Sequence, residues 1–169
     1  LNSEFQNGIY EQAHKIEQTL ITIVSSLSSV MLPRMAFYVS QNDDNSFNKH
    51  LHNTIAFTGM ISVPMAFGLF GVAPTLIPVF LGDEFLDSTA ILQVLSFVLL
   101  FSGLNSIVGN QCLIAKGRQK SYNIAVTVAA VLNIILDYLF ILKWKALGAA
   151  AATLIAEMTI LALFLLSCK

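Results

Sequence analysis

Charge is scarce in this chain. Only 11% of its 169 residues are Asp, Glu, Lys or Arg, against about 25% in a soluble globular domain. No tract of Lys or Arg offsets that shortage, so no nucleic-acid partner is expected. Cysteine is nearly absent as well. Cys112 and Cys168 are the only two, too few for a disulfide framework or a thiolate metal cluster. His14, His50 and His52 are not spaced with cysteines or carboxylates as zinc ligands are. No strand pattern leads into a Gly-rich phosphate loop, and no catalytic constellation of a soluble enzyme is present. Neither enzyme activity nor a cofactor is expected. Residues 1–7 lack a basic n-region and a cleavage pattern, so they do not read as a signal peptide.

What the chain has is apolar length. Hydrophobic residues make up 56% of it, gathered into blocks at about residues 8–39, 53–82, 89–115, 122–142 and 148–167. Each block is long enough to cross a hydrocarbon core, which takes about 20 helical residues. The joints read QNDDNSFNKHLH, DEFLDS, KGRQKS and KWKAL. The expected fold is all-α: a polytopic transmembrane bundle of about five helices. It reads as a single bundle over residues 1–169 and as part of a larger, two-halved transporter.

The bases fall unevenly across the joints. Alternation of the helices collects Arg34, Lys49, Lys116, Arg118, Lys120 and Lys169 on one face. The other face keeps Lys143 and Lys145, with Lys15 toward its N-terminal end. The positive-inside tendency assigns the first set to the cytoplasm, with the N-terminus outside and the C-terminus inside. Cys112 and Cys168 then lie near cytoplasmic helix ends, where buried, reduced thiols are expected. The odd number of spans, and Leu1 in place of Met, suggest a fragment of a longer chain.

The first helix is polar along one side. Glu11, Lys15, Gln18, Thr22, Ser25 and Ser29 recur at spacings of three and four. At about 100° per residue they share an arc of roughly 80°. His14 and Ser26 flank that arc. Glu11 and Lys15 can pair at i, i+4 across a structural seam. The stripe instead suits a cavity wall that contacts a polar solute. Its length favours the wall, because one ion pair leaves the hydroxyls further along unexplained, and lipid has no use for them.

The remaining helices carry weaker marks. Pro64, Pro74 and Pro78 predict a kink in the second. Ser102, Asn105, Ser106 and Gly109 share a face of the third that suits close packing. The fourth sets Asn133 and Asp137 at i, i+4. In the fifth, Gly148 and Ala152 form a small-xxx-small pair, and Glu157 lies about 14 Å further in. Asp137, Glu157 and Asn133 are candidates for proton or sodium coupling. The plainer reading has Lys143 or Lys145 snorkelling to neutralise the two carboxylates.

Taken in order, GIYEQAHKI, VMLPRM, VPMAFGLFGVAPTLIPVFLGDEF, CLIAKGRQKSYN, VLNIILDYLF and LGAAAATLIAE resemble a known family. They look like the second half of a bacterial polysaccharide repeat-unit flippase. Such O-antigen, capsule and exopolysaccharide transporters belong to the multidrug/oligosaccharidyl-lipid/polysaccharide exporter superfamily. The resemblance covers nearly the whole chain and matches it to the eighth to twelfth helices of such a protein. It implies a bacterial cytoplasmic membrane location and a missing N-terminal half. It also implies the same orientation as the charge count.

The resemblance further implies a substrate, an undecaprenyl-pyrophosphate-linked oligosaccharide flipped by alternating access. Lys15, His14, Gln18, Thr22 and Ser25 would line its cavity, with Arg34 gathering the head group at the cytoplasmic mouth. Polysaccharide polymerase and glycosyltransferases would be the neighbouring partners. Two other readings stand beside it. One is an ion-coupled drug exporter of the same superfamily, and the other a non-transporting membrane scaffold for envelope synthesis.

Overall fold

The computed structural model describes residues 2–168. Leu1, Lys169 and the side chains of residues 2–5 and Leu27 lie outside the described residues; the base at Lys169 counted above is therefore not placed. Four long helices form the bundle: α1 (Asn2–Ser40), α2 (Asp44–Leu81), α3 (Ser88–Ile107) and α4 (Gln119–Ser167). A short 3-10 turn, Asp83–Phe85, precedes α3, and a π-helical stretch, Val108–Ile114, continues it. All four are long and apolar enough to cross a membrane. The protein is a multi-pass membrane protein.

At 49 residues α4 would run about 73 Å if straight, more than twice a hydrocarbon core of about 30 Å. It does not run straight. Lys145 takes φ 51° and ψ −131°, and the helix folds back there. The Tyr122 and Phe164 rings stack with centroids 5.1 Å apart, bringing the outgoing limb (119–144) against the returning limb (146–167). The four helices therefore form a bundle of five limbs.

Helix α3 is the axis. More than half of its span is buried, against less than a quarter of each other span. Ser88 Oγ donates to the Ile9 carbonyl at 3.0 Å, and Ser28 Oγ donates to the Ser106 carbonyl at 2.7 Å. These two bonds set α1 parallel to α3. Gln93 Nε2 reaches the Phe70 carbonyl at 3.3 Å, while Gly103 lies beside Thr58 and Ser62. Helix α2 is thus antiparallel to α3. The apolar core follows that axis, from Ile9, Ala73, Leu92 and Ala150 at one end to Val108, Leu113 and Phe164 at the other.

Close approach depends on small residues. A Cβ on Gly103 would meet Val24 at 2.7 Å, and one on Gly109 would meet the Tyr122 and Phe164 rings at 2.8 Å. The packing face expected at Ser102, Asn105, Ser106 and Gly109 is where α1 and the returning limb of α4 touch α3. Away from the core, α4 turns Ile124, Val128, Val131, Ile135 and Leu142 outward, as a lipid-facing surface requires.

Three sequence expectations need correction. The joint QNDDNSFNKHLH is mostly helix: only residues 41–43 are non-helical, and α2 begins at Asp44 rather than Asn53. Asp43 caps it by accepting from the Ser46 amide at 3.0 Å. Polarity there marks the membrane boundary, not the helix end. Second, the joint KWKAL is helical on both sides of one residue, Lys145, rather than a loop between two separate helices. Third, Cys112 and Cys168 are not separate thiols. Their sulfurs are bonded and their Cα atoms lie 6.2 Å apart, because the returning limb of α4 runs parallel to α3 and brings its end onto the π-helix.

The elbow yields a stability test. Lys145 is a non-glycine residue at positive φ, strained by about 1–3 kcal/mol, and it is exposed. A Cβ on Gly148 would run into the Phe140 carbonyl. Lys145→Gly should raise the thermal midpoint in detergent, and Gly148→Ala should lower it by an overpacking cost of about 1–3 kcal/mol. Gly68→Ala, where a Cβ meets nothing within 4 Å, should leave the midpoint in place.

The cap yields a pH test. Ser46, through its hydroxyl and its amide, holds the Asp43 carboxyl below its ordinary range. A depressed value means the stabilisation is present above the ordinary aspartate pKa and lost as pH falls through the depressed one. Asp43→Ala should therefore speed amide exchange in the first turn of α2 at neutral pH. At a pH below the depressed value, native and variant should exchange alike.

Candidate functional site

The polar stripe of α1 points away from the bundle. Glu11, Lys15, Gln18, Thr22 and Ser29 are exposed and Ser25 is half-buried, while Ile9, Ala13, Val24 and Met35 face α3 and its neighbours. Lys15 Nζ pairs with Glu11 Oε1 at 2.8 Å, both side chains about three-fifths exposed. An exposed pair of this kind is worth little, so it is easily exchanged for another anion. Thr22 and Ser26 hydroxyls donate to their own helix, to Gln18 and Ile23 carbonyls at 2.9 and 2.7 Å. Both residues are exposed.

His14 is turned off the stripe. Its ring stacks on Tyr10 with centroids 5.6 Å apart, and Nδ1 lies 3.2 Å from Glu17 Oε2. Gln18 Nε2 sits 3.4 Å from its other ring nitrogen. Arg34 stands at the far end of α1, exposed, with its Nε donating to Tyr38 at 2.9 Å. Tyr38 in turn stacks on His50. Lys15, Gln18, Thr22 and Ser25 thus share one face. His14 bridges from that face to the interior, and Arg34 lies apart from them.

A second polar group lies beneath the stripe, between α1, α3 and α4. Glu17 is fully buried, a residue that the sequence reading missed. Asn105 of α3 donates through Nδ2 to Glu157 Oε2 at 2.6 Å and to the Glu157 carbonyl at 2.9 Å. Buried atoms Asn133 Nδ2 and Asp137 Oδ1 have no hydrogen-bond partner. Among the described residues neither Lys143 nor Lys145 reaches Asp137 or Glu157 in an ion pair. Lys143 lies over the Trp144 ring instead.

A cleft of about 520 Å³ opens between the start of α1 and the α4 elbow, lined by Gln6, Asn7, Tyr10, Glu11, Ile141 and Lys145 among others. Among the described residues no group of three His, Cys, Asp or Glu could hold a metal ion.

Comparison with known proteins places this architecture. The sequence profile of the lipid II flippase MurJ family matches residues 8–169. The chain is 30% identical over 137 residues to the lipid II flippase MurJ of Thermosipho africanus, covering 78% of this chain and 28% of that protein. It is 25% identical over 146 residues to a probable low-salt glycan biosynthesis flippase, Agl15, of Haloferax volcanii, covering 86% and 31%. A solved structure, lipid II flippase MurJ in an inward closed conformation, superposes with a TM-score of 0.85 at 27% identity. That match covers 96% of this chain and 35% of the solved one. The chain spans about a third of the length of these relatives. The proteins matched are named as lipid II and glycan biosynthesis flippases, and none is named as a polysaccharide repeat-unit transporter, the family of the sequence reading. Its bundle and its sequence agree: the chain belongs to the MurJ lipid II flippase family.

Proposed function

We propose that this chain supplies one wall of the cavity through which a transporter flips a lipid-linked sugar across a bacterial cytoplasmic membrane. The observation that carries the reading is the α1 stripe. A membrane helix that buries one face against its own bundle turns Glu11, Lys15, Gln18 and Thr22 the other way. In hydrocarbon those groups would be costly, so the stripe fits a hydrated cavity closed by a partner half. A polyprenyl-pyrophosphate-linked sugar offers negative charge and hydroxyls to that wall while its tail stays in lipid.

Lys15 is the residue assigned to the pyrophosphate. Its pairing with Glu11 is exposed and weak, so an anionic head group can take the place of Glu11 at Nζ. Gln18, Thr22 and Ser25 then offer hydrogen bonds to the sugar, and Arg34 collects the head group at the inner mouth. No covalent bond changes in such a cycle: the bundle rocks between inward- and outward-open states. The family match favours lipid II as the cargo. The Agl15 likeness favours an oligosaccharide, such as a surface-polysaccharide repeat unit, as the second reading. Asp137, Glu157 and Asn133 are the groups assigned to ion coupling.

The proposed orientation has the N-terminus outside and the C-terminus inside, on the charge bias of the joints. The Cys112–Cys168 bond lies at the inner end, where a reducing cytoplasm opposes disulfides. The orientation therefore rests on the bases alone.

In the full-length protein, Lys15→Ala should cut flipping of the lipid-linked precursor about tenfold or more, the scale of a lost charged hydrogen bond, while Lys15→Arg retains most of it. The measurement is appearance of the precursor on the outer leaflet, at matched protein levels. Undiminished flipping by Lys15→Ala removes Lys15 from the wall.

A further inference from the structure

A cleft of about 350 Å³ runs between α1 and α2. Ile23, Val24 and Val30 line it from α1, and Phe57, Thr58 and Ile61 line it from α2. Its volume falls within the range of small-molecule sites, about 300–1,000 Å³. The rim is exposed, with Val30 at 74%, Ile23 at 58% and Phe57 at 47%, while Val24 and Thr58 at the floor are buried. Ser26 borders it too, but its hydroxyl donates to the Ile23 carbonyl at 2.7 Å. The cleft is an apolar trough open along one side.

Arg34 stands at the end of this trough. Residues 23, 26, 30 and 34 recur at spacings of three and four, so they share an arc of about 80° on α1. From Val30 to Arg34 the helix rises about 6 Å. Arg34 Nε donates to Tyr38, and the Tyr38 ring stacks on His50 of α2 with centroids 5.1 Å apart. The guanidinium is thus held at the seam between the two helices that form the trough. Among the described residues it forms no ion pair.

An unpaired guanidinium at the head of an apolar trough fits an anion joined directly to a hydrocarbon chain. The guanidinium fork takes two phosphate oxygens at once. A phospholipid brings two chains and one phosphodiester. A prenyl pyrophosphate brings a single chain and more charge, which suits one trough and one fork.

We propose that the trough between α1 and α2 is a loading site for a polyprenyl pyrophosphate, with the pyrophosphate on Arg34 and the first isoprene units between Val30 and Ile23. The proposal rests on the transport reading above and deepens it: the start of the tail lies in a slot of this chain, not in bulk lipid. The trough face of α1 is about 100° round the helix from the centre of the stripe. Tail and head group therefore occupy adjoining faces, and the head group passes from Arg34 toward Lys15.

The test is photolabelling of the full-length protein in lipid vesicles. The probe is undecaprenyl pyrophosphate carrying a diazirine on one of its first isoprene units, the part that both cargo readings share. Phosphatidylglycerol with a diazirine on one acyl chain is the reference. Peptide mapping by mass spectrometry should place the prenyl label on residues 23–30 and 57–61. The phosphatidylglycerol label should fall on outward residues of α4 such as Ile124, Val131 and Ile135. Arg34→Ala should cut the trough labelling about tenfold, the scale of a lost charged hydrogen bond. Val30→Trp, which fills the trough from an exposed position, should cut it as well without lowering the thermal midpoint. Prenyl label scattered over the lipid face, equal labelling of the trough by phosphatidylglycerol, or trough labelling that neither variant lowers overturns the site. Flipping by Lys15→Ala is a separate measurement: normal flipping there removes the wall and leaves this site standing, whereas scattered label here removes the site and leaves the wall.

Discussion

Polar groups inside a membrane must find their partners inside the protein, and α3 shows how this chain meets that demand. The helix carries no charged residue, is the most buried of the spans, and offers small or amide side chains to its neighbours. Ser88 and Ser106 tie it to α1, Gln93 ties it to α2, and Asn105 ties it to α4. The bond from Asn105 to Glu157 is the one on which most depends. It fixes the returning limb of α4 against α3, and with it Phe164 over Gly109 and the close of the bundle at Cys168.

The same constraint divides α1 into two polar surfaces. One is the stripe from Glu11 to Ser29, whose side-chain hydrogen bonds and ion pair among the described residues stay within its own helix. The other is the buried pair of residues Glu17 and Ser28, both 0% exposed. His14 stands between them, stacked on Tyr10, with one nitrogen toward Gln18 and the other toward Glu17. A helix built this way can report the state of its buried face to its wet one. For a transporter whose halves move against each other, that is a useful property, and it explains why two kinds of polarity coexist on one apolar span.

Much of this was legible in the sequence. Apolar length and joint spacing gave the all-helical membrane bundle, and period-3.6 counting gave the stripe. The start of α2 was not legible, because Asn45, Lys49, His50 and His52 look like a loop when they are a solvated helical turn. Glu17 was missed for a related reason. It falls about 120° from the stripe's centre, on a face otherwise made of Ile9, Ala13, Val24 and Met35. The signal was there: one glutamate among core residues, three positions from a histidine. Its burial depends on α3 and α4, and helical periodicity says nothing about which helices become neighbours. The meeting of Cys112 and Cys168, 56 residues apart, was hidden by the same gap.

The central claim is that α1 separates a wet wall from a dry core. It is tested most directly by replacing Cys112 and Cys168 with Ser and placing single cysteines along residues 9–29 of the full-length protein in membranes. A membrane-impermeant thiol reagent is then applied from each side. The account predicts labelling at positions 11, 15, 18, 22 and 29, and none at positions 9, 13, 17 and 24. Uniform protection along the helix, or labelling of the second set in place of the first, would contradict it.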